Sequence, residues 1–187
     1  LKVYKKARQL SEIDIAGLAF HIGSQLTKMA PFLEAADRAL DLIDILRNEG
    51  IELRYLDVGG GLGINYKNEE PPSPAQYVGE IIRRVRRTGL SLIFEPGRAL
   101  VGNAGVLLTR VLYVKETGPK KFVIVDAGMT ELIRPALYGS YHELLPVKTT
   151  DEGKKISADV VGPVCETTDF FARERLIPPL KRGDLLA

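Results

Sequence analysis

The chain has 187 residues, 45% of them hydrophobic and 27% charged, with a formal net charge of +2. That length suits one large domain or two small ones, and the near balance of charge gives no general reason to expect a nucleic-acid or membrane partner. No stretch approaches the ~18 apolar residues of a membrane span, no signal peptide is recognisable, and the single cysteine, Cys165, excludes an intrachain disulfide and suits a reducing, cytoplasmic setting.

The chain opens at Leu1 inside a predicted helix, with Val3, Tyr4, Ala7 and Leu10 in helical register. Ile13 to Phe20 alternates and then turns apolar, which predicts a strand, and the strand runs out into His21-Ile22-Gly23-Ser24. Pro31 suits the first turn of a helix, where its missing N–H costs nothing. Phe32, Ala35, Ala36, Ala39, Leu40, Ile43 and Leu46 continue that helix, with Gly50 as its stop. Leu53 to Val58 is an apolar run that breaks into Gly59-Gly60-Gly61, a second predicted strand. Residues 67–74 form a polar, proline-rich surface loop. Ser73-Pro74 caps the next helix, in which Tyr77, Ile81 and Val85 share a face and which Gly89 ends. The one basic cluster, Arg83, Arg84, Arg86 and Arg87, lies on that helix among Ile81, Ile82 and Val85, so it reads as a solvated helix face. Leu90 to Phe94 is a third strand, closing into Glu95-Pro96-Gly97-Arg98.

Strand, helix, strand, helix, strand is the pattern of parallel βαβ units. Past residue 100 the rhythm changes. Val106–Val114, Lys121–Val125 and 159–161 read as strands joined by short turns such as Gly118-Pro119-Lys120. The expected fold class is therefore α/β, with residues 1–100 parallel and residues 101–187 a mostly antiparallel second domain. The chain stops at Gly183-Asp184-Leu185-Leu186-Ala187, where another strand begins. Both ends are expected to lie inside a longer protein.

Each of the three parallel strands ends in a loop rich in functional residue types, and in parallel α/β folds ligands gather at the carboxyl ends of the strands. Three successive glycines let the backbone bring its N–H groups up to a phosphate, or they make a plain glycine turn. Ser24, the Gly59–Gly61 backbone and Arg98 together suit a phosphate, with the His21 imidazole and the Glu95 carboxylate beside them. The same residues allow plainer roles. His21 can be hydrogen-bonded structure, Glu95 and Arg98 can pair with each other, and Cys165 can be a small buried hydrophobe. No metal site is expected.

Four motifs occur in order: His-Ile-Gly-Ser at 21–24, Leu-Asp-Val-Gly-Gly-Gly at 56–61, Phe-Glu-Pro-Gly-Arg at 94–98 and Gly-Pro-Val-Cys-Glu at 162–166. In this order the chain resembles the alanine-racemase-fold, pyridoxal-phosphate-dependent amino-acid decarboxylases from about residue 14 to its end. The resemblance implies that residues 1–100 are the C-terminal part of a (β/α)8 barrel and residues 101–187 part of a β-rich C-terminal domain. It implies that His21 lies against the pyridine ring of pyridoxal 5'-phosphate and that Ser24, Gly60 and Gly61 hold its phosphate. Glu95 would pair with the ring nitrogen, and Arg98, from the Pro96-Gly97-Arg98 turn, would reach the phosphate, the substrate carboxylate, or both. Arg134, Tyr138 and Glu166 would bind the distal end of the substrate. Cys165 would protonate the substrate within the active site of a partner subunit, which implies a homodimer with shared sites. The family's cofactor-bearing lysine belongs to an early barrel strand, and none of Lys2, Lys5 or Lys6 has a matching context. Its C-terminal phosphate-binding tyrosine would lie beyond Ala187.

Arg134 with Glu166 offers both charges to a substrate ending in carboxylate and ammonium, so the resemblance points to meso-2,6-diaminopimelate as substrate and L-lysine as product. Ornithine, arginine and carboxynorspermidine are the substrates of the nearest alternatives. A non-catalytic relative of the antizyme-inhibitor type is disfavoured by the presence of His21, Gly61, Glu95 and Cys165 together.

Overall fold

A computed structural model describes residues 1–148 and 153–187. The chain divides into two compact units, Leu1–Gly105 and Val106–Ala187.

The first unit contains helix α1 (Lys2–Ala7), strand β1 (Gly17–Ala19), helix α2 (Ala30–Asn48), strand β2 (Tyr55–Asp57), helix α3 (Pro74–Val85), strand β3 (Ser91–Ile93) and helix α4 (Gly97–Val101). The strands form a parallel sheet in the order β1-β2-β3. Leu18, Leu56 and Leu92 stand side by side in its register. All three belong to a cluster with Phe32, Ala36, Ala39 and Ile43 of α2 and Tyr77, Ile81 and Val85 of α3. The helical spacing read from the sequence is thus the spacing of the buried face. Each large apolar side chain sealed in this layer contributes about 1.5–3 kcal/mol.

The helix ends follow the residues. Pro31 occupies the first turn of α2, and Gly50, at φ 74°, lies just past its end. Ser73 and Gln76 cap α3 reciprocally: the Gln76 N–H donates to the Ser73 hydroxyl, and the Ser73 N–H donates to the Gln76 side chain. Arg83 and Arg84 pair with Glu80 and Asp37, which supports the solvated-face reading of the basic cluster. At the centre of the layer, the Tyr77 ring packs on Phe32 and Phe94, with ring centroids 4.6 and 5.7 Å away. Its hydroxyl is buried and has no hydrogen-bond partner among the described residues. Burial, and secondarily the charge of Asp57, push this phenol up to about 12.

The second unit is a five-stranded sheet in the order β7-β6-β5-β4-β8. Its strands are β4 (Thr109–Thr117), β5 (Lys120–Val125), β6 (Ile156–Val161), β7 (Phe170–Ile177) and β8 (Leu185–Leu186), with a short helix α5 (Arg134–Tyr138) between β5 and β6. Every neighbouring pair is antiparallel except β5 and β6, which run parallel. Val111, Val123, Val125, Val160 and Ile177 form its core.

Several expectations need correction. The strands predicted over 13–20, 53–58 and 90–94 contract to three residues each, because only those residues find a ladder partner. Gly97 and Arg98, read as part of the loop that closes the third strand, open the helix α4, with Pro96 as its N-terminal cap. β7 and α5 were not foreseen, and the strand predicted from Val106 begins at Thr109. The opening helix buries none of its residues.

Candidate active site

The carboxyl ends of β1, β2 and β3 are joined by backbone contact, and the glycine run makes that contact possible. A Cβ on Gly59 would lie 2.4 Å from the Phe20 carbonyl oxygen, one on Gly60 2.2 Å from that of Glu95, and one on Gly61 2.4 Å from that of Gly23. No side chain fits there. Gly59 and Gly61 also have φ of 68° and 101°, which other residues rarely adopt. The Glu95 N–H donates to the Gly59 carbonyl, and the Leu26 N–H donates to that of Gly61. Three loops that are distant in sequence are thereby fastened into one edge.

The N–H groups of the run are partly spent. That of Gly59 donates to the Asp57 carboxylate at 2.8 Å, and that of Gly60 donates to Nδ1 of His21 at 3.3 Å. Of the expected backbone nest, the Gly61 N–H is the one with no partner among the described residues. The bond from Gly60 makes Nδ1 an acceptor, so the neutral ring carries its proton on Nε2. His21, Ser24 and Glu95 are exposed at this edge.

Arg98, half-buried on α4, does not pair with Glu95. One guanidinium nitrogen lies 3.3 Å from Oε1 of Gln25 and 3.4 Å from the Tyr66 hydroxyl. Gln25 was not singled out from the sequence, yet it organises this corner. Its amide nitrogen donates to the Ile64 carbonyl at 2.6 Å, and its amide oxygen accepts the Ile64 N–H at 3.2 Å. Its backbone is left-handed, with φ 58°. Such non-glycine strain costs about 1–3 kcal/mol and gathers at functional sites. The available signal was its place beside Ser24 in the His-Ile-Gly-Ser motif.

Arg134, Tyr138, Cys165 and Glu166 belong to the second unit. Arg134 and Tyr138 are the first and last residues of α5, four apart and so on one face of the helix. Gly139, at φ 61°, terminates it. Nη1 of Arg134 lies 3.0 Å from Nε2 of His142, a partner the sequence did not suggest. The His142 carbonyl in turn accepts from Arg175, whose guanidinium lies 4.1 Å from the centre of the Tyr141 ring.

Cys165 and Glu166 are exposed on the loop between β6 and β7, which overturns the reading of Cys165 as a buried hydrophobe. The loop is closed by its own backbone: Gly162 N–H to Asp169 carbonyl, and Asp169 N–H to Glu166 carbonyl, both at 3.0 Å. The Thr167 hydroxyl and, after it, the Thr168 N–H donate to the Glu166 carboxylate and hold it below the ordinary glutamate range. It is therefore a charged acceptor at neutral pH, suited to an ammonium group.

The first edge thus gathers a hydroxyl, a free N–H, a cation, an imidazole and a carboxylate. The second unit offers a cation, a phenol, a thiol and a carboxylate. Comparison with known proteins gives this inventory its context. Diaminopimelate decarboxylase of Vibrio cholerae is 50% identical over 187 residues, covering 100% of this chain and 44% of that protein. The crystal structure of diaminopimelate decarboxylase from Helicobacter pylori complexed with L-lysine matches with a TM-score of 0.92 and 38% identity, over 99% of this chain and 46% of that one. A lysine/ornithine decarboxylase from Vibrio vulnificus complexed with cadaverine matches with a TM-score of 0.87 and 26% identity, over 99% of this chain and 50% of that one. The chain therefore spans about half, or less, of the length of the relatives it matches. The family described as "Pyridoxal-dependent decarboxylase, C-terminal sheet domain" matches residues 3–187, and the chain belongs to it.

Proposed function

We propose that this chain is part of a pyridoxal 5'-phosphate-dependent decarboxylase that converts meso-2,6-diaminopimelate to L-lysine and carbon dioxide, the last step of lysine biosynthesis. What carries the reading is the fastening of the His21, Gly60 and Glu95 loops at one strand edge, which gathers the donors such a cofactor needs. The choice of substrate follows the relatives: diaminopimelate decarboxylases are 33% to 50% identical to this chain, against 26% for the lysine/ornithine enzyme. The first unit is read as the C-terminal part of a (β/α)8 barrel and the second as part of the β-rich decarboxylase domain.

The donor set fits the cofactor. Ser24, the Gly61 N–H and Arg98 would hold its phosphate, the last also within reach of a substrate carboxylate. Pro96 and Gly97 shape the turn that presents Arg98. His21 would lie against the ring, and Glu95 would keep a proton on the ring nitrogen. The bound cofactor supplies an electron sink for the charge left on the α-carbon when carbon dioxide departs. Arg134, Tyr138 and Glu166 receive the distal carboxylate and ammonium. The Cys165 thiol donates the proton that replaces the lost carboxylate at the α-carbon.

In this reading Cys165 and Glu166 serve the site of a partner subunit, so the enzyme is a homodimer with shared sites. The enzyme is read as cytoplasmic, and among the described residues no helix is long and apolar enough to cross a membrane. The test is a comparison of kcat/KM on the intact enzyme for diaminopimelate, ornithine, arginine and lysine. Diaminopimelate should lead by ~10⁴-fold, the range open to a site whose buried polar groups need their partners. Ornithine equal or better overturns the assignment.

A further inference from the structure

Asp169 is 4% exposed, one of two buried polar residues among those described, and no role has been given to it above. Its two carboxylate oxygens are shared between two loops. Oδ1 accepts the Met129 N–H at 2.6 Å, and Oδ2 accepts the Val164 N–H at 2.7 Å. Val164 immediately precedes Cys165. Met129 lies in the turn closed by the Gly128 carbonyl, which accepts from Glu131 and Leu132 just ahead of α5 and Arg134. The backbone of Asp169 also closes the Cys165 loop at both ends, through Gly162 and Glu166.

Gly128 and Gly162 mark how closely this peg is fitted. A Cβ on Gly128 would lie 2.8 Å from Oδ1 of Asp169, and one on Gly162 would lie 2.4 Å from Oδ2. Both glycines lack a positive φ, so packing against the carboxylate, rather than backbone conformation, explains them. Two backbone N–H bonds to one buried carboxylate are short, charge-assisted bonds of the strong kind. An exposed flexible loop would not need them.

We infer that Asp169 is the positioning residue that holds the Cys165–Glu166 loop and the segment leading to Arg134 in one fixed relation. The inference rests on the proposed roles of Cys165 and Arg134. Asp169 touches neither substrate nor cofactor; it acts through the two loops. Asparagine at this position keeps the shape but presents an amide N–H₂ to one of the two N–H groups, so one bond is replaced by a donor–donor clash.

The test uses the intact, cofactor-loaded enzyme with Asp169→Asn, Asp169→Ala, Cys165→Ala and the Asp169→Asn/Cys165→Ala pair. Per loaded site, Asp169→Asn should lower kcat by ~10²-fold, the loss expected for misplacement of about 1 Å, and should raise KM. Its Cys165 should react with iodoacetamide at a changed rate, read by peptide mass spectrometry. The double variant should be no slower than Cys165→Ala, because both changes act on one step. Unchanged kcat and labelling with only a lower melting point would make Asp169 a stability residue and overturn the inference. If Cys165→Ala is itself harmless, the proposed proton donor is wrong, while labelling still tests the peg. Should the variants not fold, hydrogen exchange of the wild-type enzyme decides. Val164 and Met129 amides exchanging at free-peptide rates would refute it.

Discussion

Gly60→Ala is the substitution that most directly probes how the first site is assembled. The added Cβ would lie 2.2 Å from the Glu95 carbonyl oxygen, against an ordinary contact of about 3.4 Å. The β2 and β3 loops must therefore part by roughly 1.2 Å, and both atoms involved are backbone or fixed to it, so no side-chain rotation relieves the clash. The φ of Gly60 is not positive, so the cost is steric alone. Overpacking of this kind costs about 1–3 kcal/mol. Displacing the Glu95 loop from His21 by about 1 Å should also lower kcat/KM by ~10²-fold if those residues embrace one cofactor. Gly79→Ala serves as the control: it sits in α3 with open space around its Cβ, and should stabilise slightly, by about 0.5–1 kcal/mol. The assay is kcat/KM and a denaturation midpoint on the intact enzyme, with bound cofactor followed by its visible absorbance. Wild-type activity and a midpoint matching the Gly79 control would show that the three loops do not need their close contact.

The remaining predictions concern separate parts of the chain. Cys165→Ala should cost ~10²–10⁴-fold in kcat, the usual worth of a positioned general acid, with cofactor absorbance retained. Mixing inactive Cys165→Ala and Glu95→Ala subunits should restore up to about a quarter of the sites, because a two-fold dimer with random pairing leaves one intact site in each mixed dimer. No recovery despite demonstrated subunit exchange means that each chain builds its own site. Arg134→Ala should raise KM for diaminopimelate and narrow its lead over ornithine, since ornithine brings no distal carboxylate to the guanidinium; an unchanged ratio removes Arg134 from the pocket. Tyr77→Phe should raise the melting point, because the buried Tyr77 hydroxyl makes no bond among the described residues and an unsatisfied polar group costs about 1–3 kcal/mol; a lower melting point would reveal a partner. Asp126 accepts the Arg110 N–H and the Thr109 hydroxyl at 2.7 Å each, which hold its carboxyl below the usual range. A depressed pKa stabilises above the unfolded value of about 3.9 and is lost as pH falls through the folded one. The advantage of wild type over Asp126→Asn should therefore shrink below pH ~4, and a gap independent of pH would contradict this.

Much of the first unit was legible in residue order alone. The periodicity of Phe32, Ala36, Ala39 and Ile43, the cap at Ser73 and the stop at Gly50 are local properties, set by which side chains recur on one helix face and which residues tolerate a terminus. The ordered motifs were legible for the same reason: they are short, contiguous and each ends a strand. Strand length was not. A strand is as long as its partner allows, so β1, β2 and β3 shrank to the residues that pair. The parallel pairing of β5 with β6 is likewise a long-range choice that a run of short strands does not announce. Gly59, Gly60 and Gly61 read as a possible phosphate cradle, and only tertiary structure reveals their other use, as the gap through which the Phe20, Gly23 and Glu95 carbonyls approach. Gln25 and Asp169 were invisible for a related reason. Gln25 acts through Ile64 and Arg98, which are 39 and 73 residues away, and Asp169 acts through Met129, which is 40 residues away. Sequence alone determined which chemical groups this protein owns and which faces of α2 and α3 are buried. The folded chain decided which of those groups share a partner, because hydrogen bonds and steric contacts depend on distance in space and not on distance along the chain.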